Sequence, residues 1–254
     1  MDFALNLITN LIAAIVIFLL GFFWPVIPKS FRKFQLRKFW GKGVFGQDFV
    51  IAYGALKNSR QRQKDPYAFW YVKYFSNNTW NEIIGPKGNI VPDCEIRAAS
   101  YIINTLSKYR KKAIKVMDDT TLFPNLNRTF VALGGPSSNE ISRLVMRESN
   151  NIFLEFVQNS IKNYFIHDKK TDKRFEGFKP PKKKDYGIIL KLPNIRFKDH
   201  FFFVCAGLGE WGTSGSSWYL ANKWIELNKE FGDTFGAVVE VDIGSDESAF
   251  RVFP

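Results

Sequence analysis

The sequence predicts a layered α/β domain with a largely parallel sheet, preceded by a single N-terminal transmembrane helix. Three observations carry that reading. Residues 3–24 hold no charged side chain. From residue 49 onward, short runs rich in aromatic and β-branched residues recur at strand-like length. Two of these runs end in glycines that lead directly into a helical pattern. At 46% hydrophobic and 17% aromatic, the chain is excluded from the disordered class. Cys94 and Cys205 are too few for a disulfide scaffold or an all-cysteine zinc site. His167 and His200 are too few for a multi-histidine centre, so no metal is expected.

Residues 1–28 read as a membrane anchor. About 20 apolar residues at ~1.5 Å each cross a bilayer core of ~30 Å. Phe22, Phe23 and Trp24 supply an aromatic belt, and Pro25 and Pro28 are expected to end the helix. A cleaved signal peptide would start with a base, and here Asp2 precedes the apolar run. Residues 29–47 carry Lys29, Arg32, Lys33, Arg37, Lys38 and Lys42 without an acid. That flank predicts a single-pass protein of the inner, cytoplasmic membrane, with the N-terminus outside and residues 48–254 in the cytoplasm. Phe31, Phe34, Phe39 and Trp40 interleave with the bases, which suits a lipid bilayer with anionic headgroups. The same residue types also suit nucleic acid. The net charge of +12 is, however, divided among separate basic stretches, 29–64, 108–115 and 162–184, which disfavours a dedicated nucleic-acid groove.

Along the cytosolic part, strands are expected at 49–56 and 68–75, then a polar loop at 77–92. Asp93 caps a helix to about residue 109. Strands at 113–117 and 129–133 flank an acidic turn at Asp118 and Asp119, which turn geometry explains better than a metal or ribose. A helix follows at 140–148, a strand at 152–157 and a charged insertion at 166–185. Strands at 186–192 and 201–206, a helix at 214–230 and a last strand at 237–243 complete the order. The unbroken apolar run 201–206 (FFFVCA) fits a sheet covered on both faces.

Two glycine loops carry the functional expectation. In the first, a strand ends at Gly134-Gly135, followed by Pro136, Ser137, Ser138 and Asn139, and a helix with Arg143 in its first turns. In the second, Gly207, Gly209 and Gly212 spell G-x-G-x-x-G before Thr213 and Ser214. Strand–glycine–helix turns aim backbone N–H groups and a helix dipole at one point, where an anion such as phosphate binds. The acid that a dinucleotide fold needs would be Glu226 or Glu230, inside a helix, so the string alone does not define a dinucleotide site. Neither loop ends in Gly-Lys-Ser/Thr, which disfavours a P-loop. The expected ligand set is Gly134, Gly135, Ser137, Ser138, Asn139, Arg143, Gly207, Gly209, Gly212, Thr213 and Ser214. Were the chain an enzyme, Glu140 and Glu210 would be its catalytic candidates, as the carboxylates within these loops.

The strand–GGPxSNE–helix loop, then DYGII, then FxxAGLGxxGTSG, resembles the Rossmann-like nucleotide-recognition domains of bacterial conflict and signalling systems. That loose group includes SLOG-type sensors, TIR-like domains and nucleoside deoxyribosyltransferase-like domains, and the likeness covers residues 93–243. It implies a nucleotide or nucleotide-derived ligand, with no further cofactor, in a membrane-anchored sensor or effector of antiphage defence that assembles as a homo-oligomer. Two alternatives stand beside it. One is a hydrolase cleaving the N-glycosidic bond of a nucleotide or NAD through Glu140 or Glu210. The other is a membrane-anchored protein-interaction scaffold in which both glycine loops are purely structural.

Overall fold

The computed structural model describes residues 26–54, 71–76, 79–84, 91–122, 125–148, 150–160, 163–177 and 183–253. The apolar run 3–24 lies outside them. Among the described residues no helix is long and apolar enough to cross a membrane. The expected transmembrane helix is therefore not part of the described fold, which is an α/β domain with a mixed sheet.

The first helix, α1 (Val26–Trp40), contains Pro28 in its opening turn, where a missing N–H costs nothing. Pro28 thus lies within a helix it was expected to end. Leu36, Phe39 and Trp40 are fully buried, so half of the aromatic segment assigned to lipid belongs to the protein core. Trp40 and Phe39 pack on Phe203 at 4.9 and 5.6 Å between ring centroids, and Phe39 also meets Trp224 at 5.9 Å. Burying one such ring contributes about 1.5–3 kcal/mol, which fixes the end of α1 to the body.

Seven strands form the main sheet: β1 (Phe49–Tyr53), β4 (Lys115–Asp118), β5 (Thr129–Leu133), β9 (Lys184–Pro193), β10 (Phe201–Gly207), β11 (Phe235–Asp242) and β12 (Ser245–Phe253). Their order is β12-β11-β9-β10-β5-β1-β4. The pairs β4/β1, β1/β5 and β5/β10 are parallel, while β10/β9, β9/β11 and β11/β12 are antiparallel. A largely parallel sheet was expected; the sheet is mixed because the links 194–200 and 243–244 are too short for a crossover. The last strand, β12, lies beyond the expected final one.

Among the described residues, five α-helices complete the main elements: α1, α2 (Asp93–Ser107), the short α3 (Asp119–Leu122), α4 (Glu140–Met146) and α5 (Glu210–Phe231). Alternation along each strand divides the core in two. Ile51, Val131, Phe203, Cys205, Ala237 and Val239 face α1, α2 and α5. Val50, Ala52, Phe130, Val204, Ile188 and Val238 face α4 and a three-stranded sheet of β6 (Leu154–Ser160), β7 (Asn163–Asp168) and β8 (Arg174–Glu176). Part of the charged stretch expected as a solvated insertion is thus strand. A separate hairpin of β2 (Tyr71–Ser76) and β3 (Thr79–Ile84) occupies part of the expected loop 77–92.

Lys191 on β9 is fully buried. Its Nζ donates to the Gly232 carbonyl at 3.0 Å, just past α5, and lies 3.6 Å from the Asp233 carboxylate. The rings of Phe201 and Phe39 sit 4.4 and 4.7 Å from the same nitrogen. Burial pushes this ammonium down to about 8, against the pull of Asp233.

Candidate functional site

The chain leaves β1, crosses by α2 to β4 on one side, and returns through β5 on the other. The helices that follow β1 and β5, α2 and α4, lie on opposite faces of the sheet. In an open α/β sheet this divergence opens a crevice at the C-terminal strand ends, where ligands bind. Gly54 ends β1 and Gly134 ends β5 at that place. Gly134 has φ +91°, which favours glycine, and its N–H donates to the Cys205 carbonyl of β10 at 3.0 Å.

Glu95 of α2 lies at the same strand ends, at 2% exposure. Its Oε2 accepts the Gly54 N–H at 2.7 Å. A Cβ added to Gly134 would lie 2.4 Å from Glu95 Oε1 and 3.0 Å from Ser138 Oγ, so carboxyl and hydroxyl converge on that glycine. Burial pushes the Glu95 carboxyl up to about 8; the Gly54 N–H opposes this, and the nearby Asp119 charge adds to it. Glu95 is therefore largely a neutral acid at neutral pH. Its neighbour Cys94 is pushed up to about 12 by burial and the surrounding acids, and so is a poor nucleophile.

Beside the first loop stands Tyr164 of β7, whose hydroxyl would lie 3.6 Å from a Cβ on Gly135. Burial raises this phenol to about 12, and its ring stacks on Phe156 at 5.5 Å. Ser137 is exposed. Ser138 donates to the Gly135 carbonyl at 3.3 Å.

The donors expected to hold phosphate in the first loop are partly engaged. Asn139 is fully buried and accepts the N–H groups of Ile141 and Ser142 at 2.9 and 3.1 Å. Its amide donates to the carbonyls of Leu133 and Ala52 at 2.8 and 3.2 Å, tying β5, β1 and α4 together. The Glu140 N–H goes to buried Asp119 at 2.7 Å. Arg143 donates to the Pro136 carbonyl at 2.9 Å and pairs with Glu140 at 2.8 Å, both side chains partly exposed. Asn139 and Arg143 thus hold the loop together from within.

The second loop lies beside the first, because β10 and β5 are parallel neighbours. Its anion position is occupied by the chain itself. Asp185, 3% exposed at the start of β9, accepts the N–H groups of Gly212 at 2.7 Å, Tyr186 at 2.8 Å and Gly209 at 3.1 Å. Burial raises this carboxyl, opposed by the three N–H groups. The Gly207 N–H goes to Thr213 Oγ1 at 2.9 Å, and Ser214 bonds to Asp246 and to the Glu210 carbonyl. Gly212, Thr213 and Ser214 are within α5, which starts at Glu210, earlier than the expected 214. A Cβ on Gly187 would lie 2.0 Å from the Gly212 carbonyl, so these glycines let α5 and β9 touch backbone to backbone. Glu210 itself is exposed on the first turn.

Glu95, Tyr164 and Asp185 were not among the residues expected at the site. A signal for Glu95 existed: it is the third residue of α2, whose capping residue is Pro92 rather than the expected Asp93, and Pro92 has no N–H for it to bond. Among the described residues no group of acids, cysteines or histidines fits a metal ion. Comparison with protein-family models, curated proteins and solved structures finds no match for the chain.

Proposed function

We propose that the chain binds a nucleotide-type ligand in the crevice between the ends of β1 and β5, and acts as a sensor or effector of that ligand. The carrying observation is Glu95, a carboxyl at 2% exposure lying against Gly134 at the topological switch point. A neutral acid there offers one donor and one acceptor, the pairing that a base edge or a ribose hydroxyl requires. Gly135, Ser137, Ser138 and Tyr164 border the same space, whereas Asp185 closes the second loop. The ligand position therefore narrows to the first loop.

The test is a thermal-shift series on the full chain with nucleotides, NAD and cyclic di- and trinucleotides. A ligand at about 100 times its Kd adds roughly 2.7 kcal/mol of stability. Gly135→Asp is the matched control. A Cβ there meets neighbours at 3.6 Å or beyond, so the variant folds while placing a carboxylate in the crevice. A shift in the wild type that Gly135→Asp removes is expected. No shift with any of these compounds, or a shift that Gly135→Asp leaves intact, overturns the reading.

The raised Glu95 carboxyl also favours a second reading, N-glycosidic hydrolysis with Glu95 as proton donor in place of Glu140 or Glu210. Glu95→Gln mimics the neutral acid. It spares binding under both readings and abolishes turnover under the second alone.

A further inference from the structure

We infer that α1 docks on an anionic bilayer surface through a stripe formed by Phe31, Phe34 and Lys38, flanked by Arg37. The inference is independent of the crevice. Leu36, Phe39 and Trp40 hold one face of α1 in the core, each at 0% exposure. At 3.6 residues per turn, positions 31, 34 and 38 fall on one line directly opposite that face. Phe31 is 59% exposed and Phe34 65% exposed, among the most open large apolar side chains described. Two phenyl rings standing in water three residues apart lose apolar burial that a partner would restore.

Charge names the partner. Arg32, Lys33, Arg37 and Lys38 are all exposed, and no carboxylate among the described residues pairs with them. The sequence holds no acid between Asp2 and Asp48. Rings that enter the acyl boundary beneath a row of bases on headgroup phosphates are the arrangement of an interfacial helix. A protein partner would need an acidic, ring-accepting groove, for which nothing in the molecule argues. In the sequence, the uncharged run 3–24 precedes this helix.

The experiment mixes full-length chain with vesicles of phosphatidylcholine alone or with added phosphatidylglycerol, at low and raised salt, and reads the bound fraction by co-sedimentation. Any bilayer affinity of residues 3–24 is indifferent to headgroup charge, so the ratio between the two vesicle types is the readout. A base near an anionic surface is worth about fivefold in partitioning. Arg37→Gln with Lys38→Gln should therefore lower the ratio by roughly 25-fold. Phe31→Ser with Phe34→Ser should weaken binding to both vesicle types. All four side chains are exposed, and an unchanged Tm verifies that the variants fold. Equal partitioning of the wild type into both vesicles, or a ratio unmoved in the Arg37→Gln/Lys38→Gln variant, overturns the inference. So does a variant that loses retention on RNA while keeping its vesicle ratio, because the stripe then serves nucleic acid.

Discussion

Replacing Asp185 by alanine removes the carboxylate that closes the start of α5. Of its three donors, the Gly212 N–H is buried within protein. Leaving it unpaired costs about 1–3 kcal/mol. Losing a negative charge at the first turn of a 22-residue helix costs about 0.3–1 kcal/mol more. The Gly209 N–H is only part-buried and recovers a bond to water. The expected loss is thus roughly 1.3–4 kcal/mol, read from urea unfolding of the purified chain. Asp185→Asn keeps one acceptor oxygen and should lose about half as much. The vacated position in Asp185→Ala still presents N–H groups at a helix start, so added acetate should restore part of the loss and have no such effect on the wild type. Asp185→Ala within about 0.5 kcal/mol of wild type would refute the reasoning, since that is the range of substitutions that touch nothing.

Three further outcomes follow from groups described above. Glu95 has its carboxyl raised from 4.5 to about 8, so the folded state holds more protons than the unfolded one, and its contribution falls as pH rises through that window. Lys191 is lowered from 10.5 to about 8, so here the unfolded state holds more protons and stability rises with pH between 8 and 10.5. Subtracting the pH–stability curve of Glu95→Gln from that of wild type should leave a slope confined to the lower window; Lys191→Met should leave one of opposite sign in the upper. Either difference curve being flat counts against the burial argument. Gly134→Ala must place a Cβ at φ +91° and 2.4 Å from Glu95, and should cost about 1–3 kcal/mol. Gly135→Ala has open van der Waals distance and should change Tm little. Equal effects at the two glycines would show that the crevice geometry is wrong.

Much of the domain was legible in the chain because its strands are unmixed. Thr129–Leu133 and Phe201–Gly207 are buried on both faces, and such strands read as plain apolar runs. Direction was harder to read. Residues 186–192 and 201–206 are joined by too few residues for a crossover helix, a spacing that already implied antiparallel pairing. The short strand β3 was lost among Asn and Gly residues, and β12 hid behind Gly244, whose φ of +102° makes the turn back from β11. Both glycine loops follow the parallel neighbours β5 and β10, but their composition does not say what bonds to their N–H groups. An anion position looks the same in sequence whether a phosphate or the protein's own carboxylate fills it, and the carboxylates here, Asp185 and Asp119, come from 24 and 21 residues away. Half of the aromatic segment after residue 29 misled for a related reason. Phe39 and Trp40 are as apolar in the core as they would be in lipid, and composition does not distinguish the two.

The seat of Phe39 and Trp40 has a consequence for how the chain is made. Their partners Phe203, Trp224 and Phe235 leave the ribosome long after they do. At a synthesis rate of about 5–20 residues per second, the interval is roughly 10–40 s. For that time a tryptophan and a phenylalanine that end fully buried wait for these partners, and β1 waits for β4 and β5 as well. Closure of this domain is a late, long-range event, and a chain stalled before residue 235 would carry its own N-terminal plug as an exposed aggregation handle.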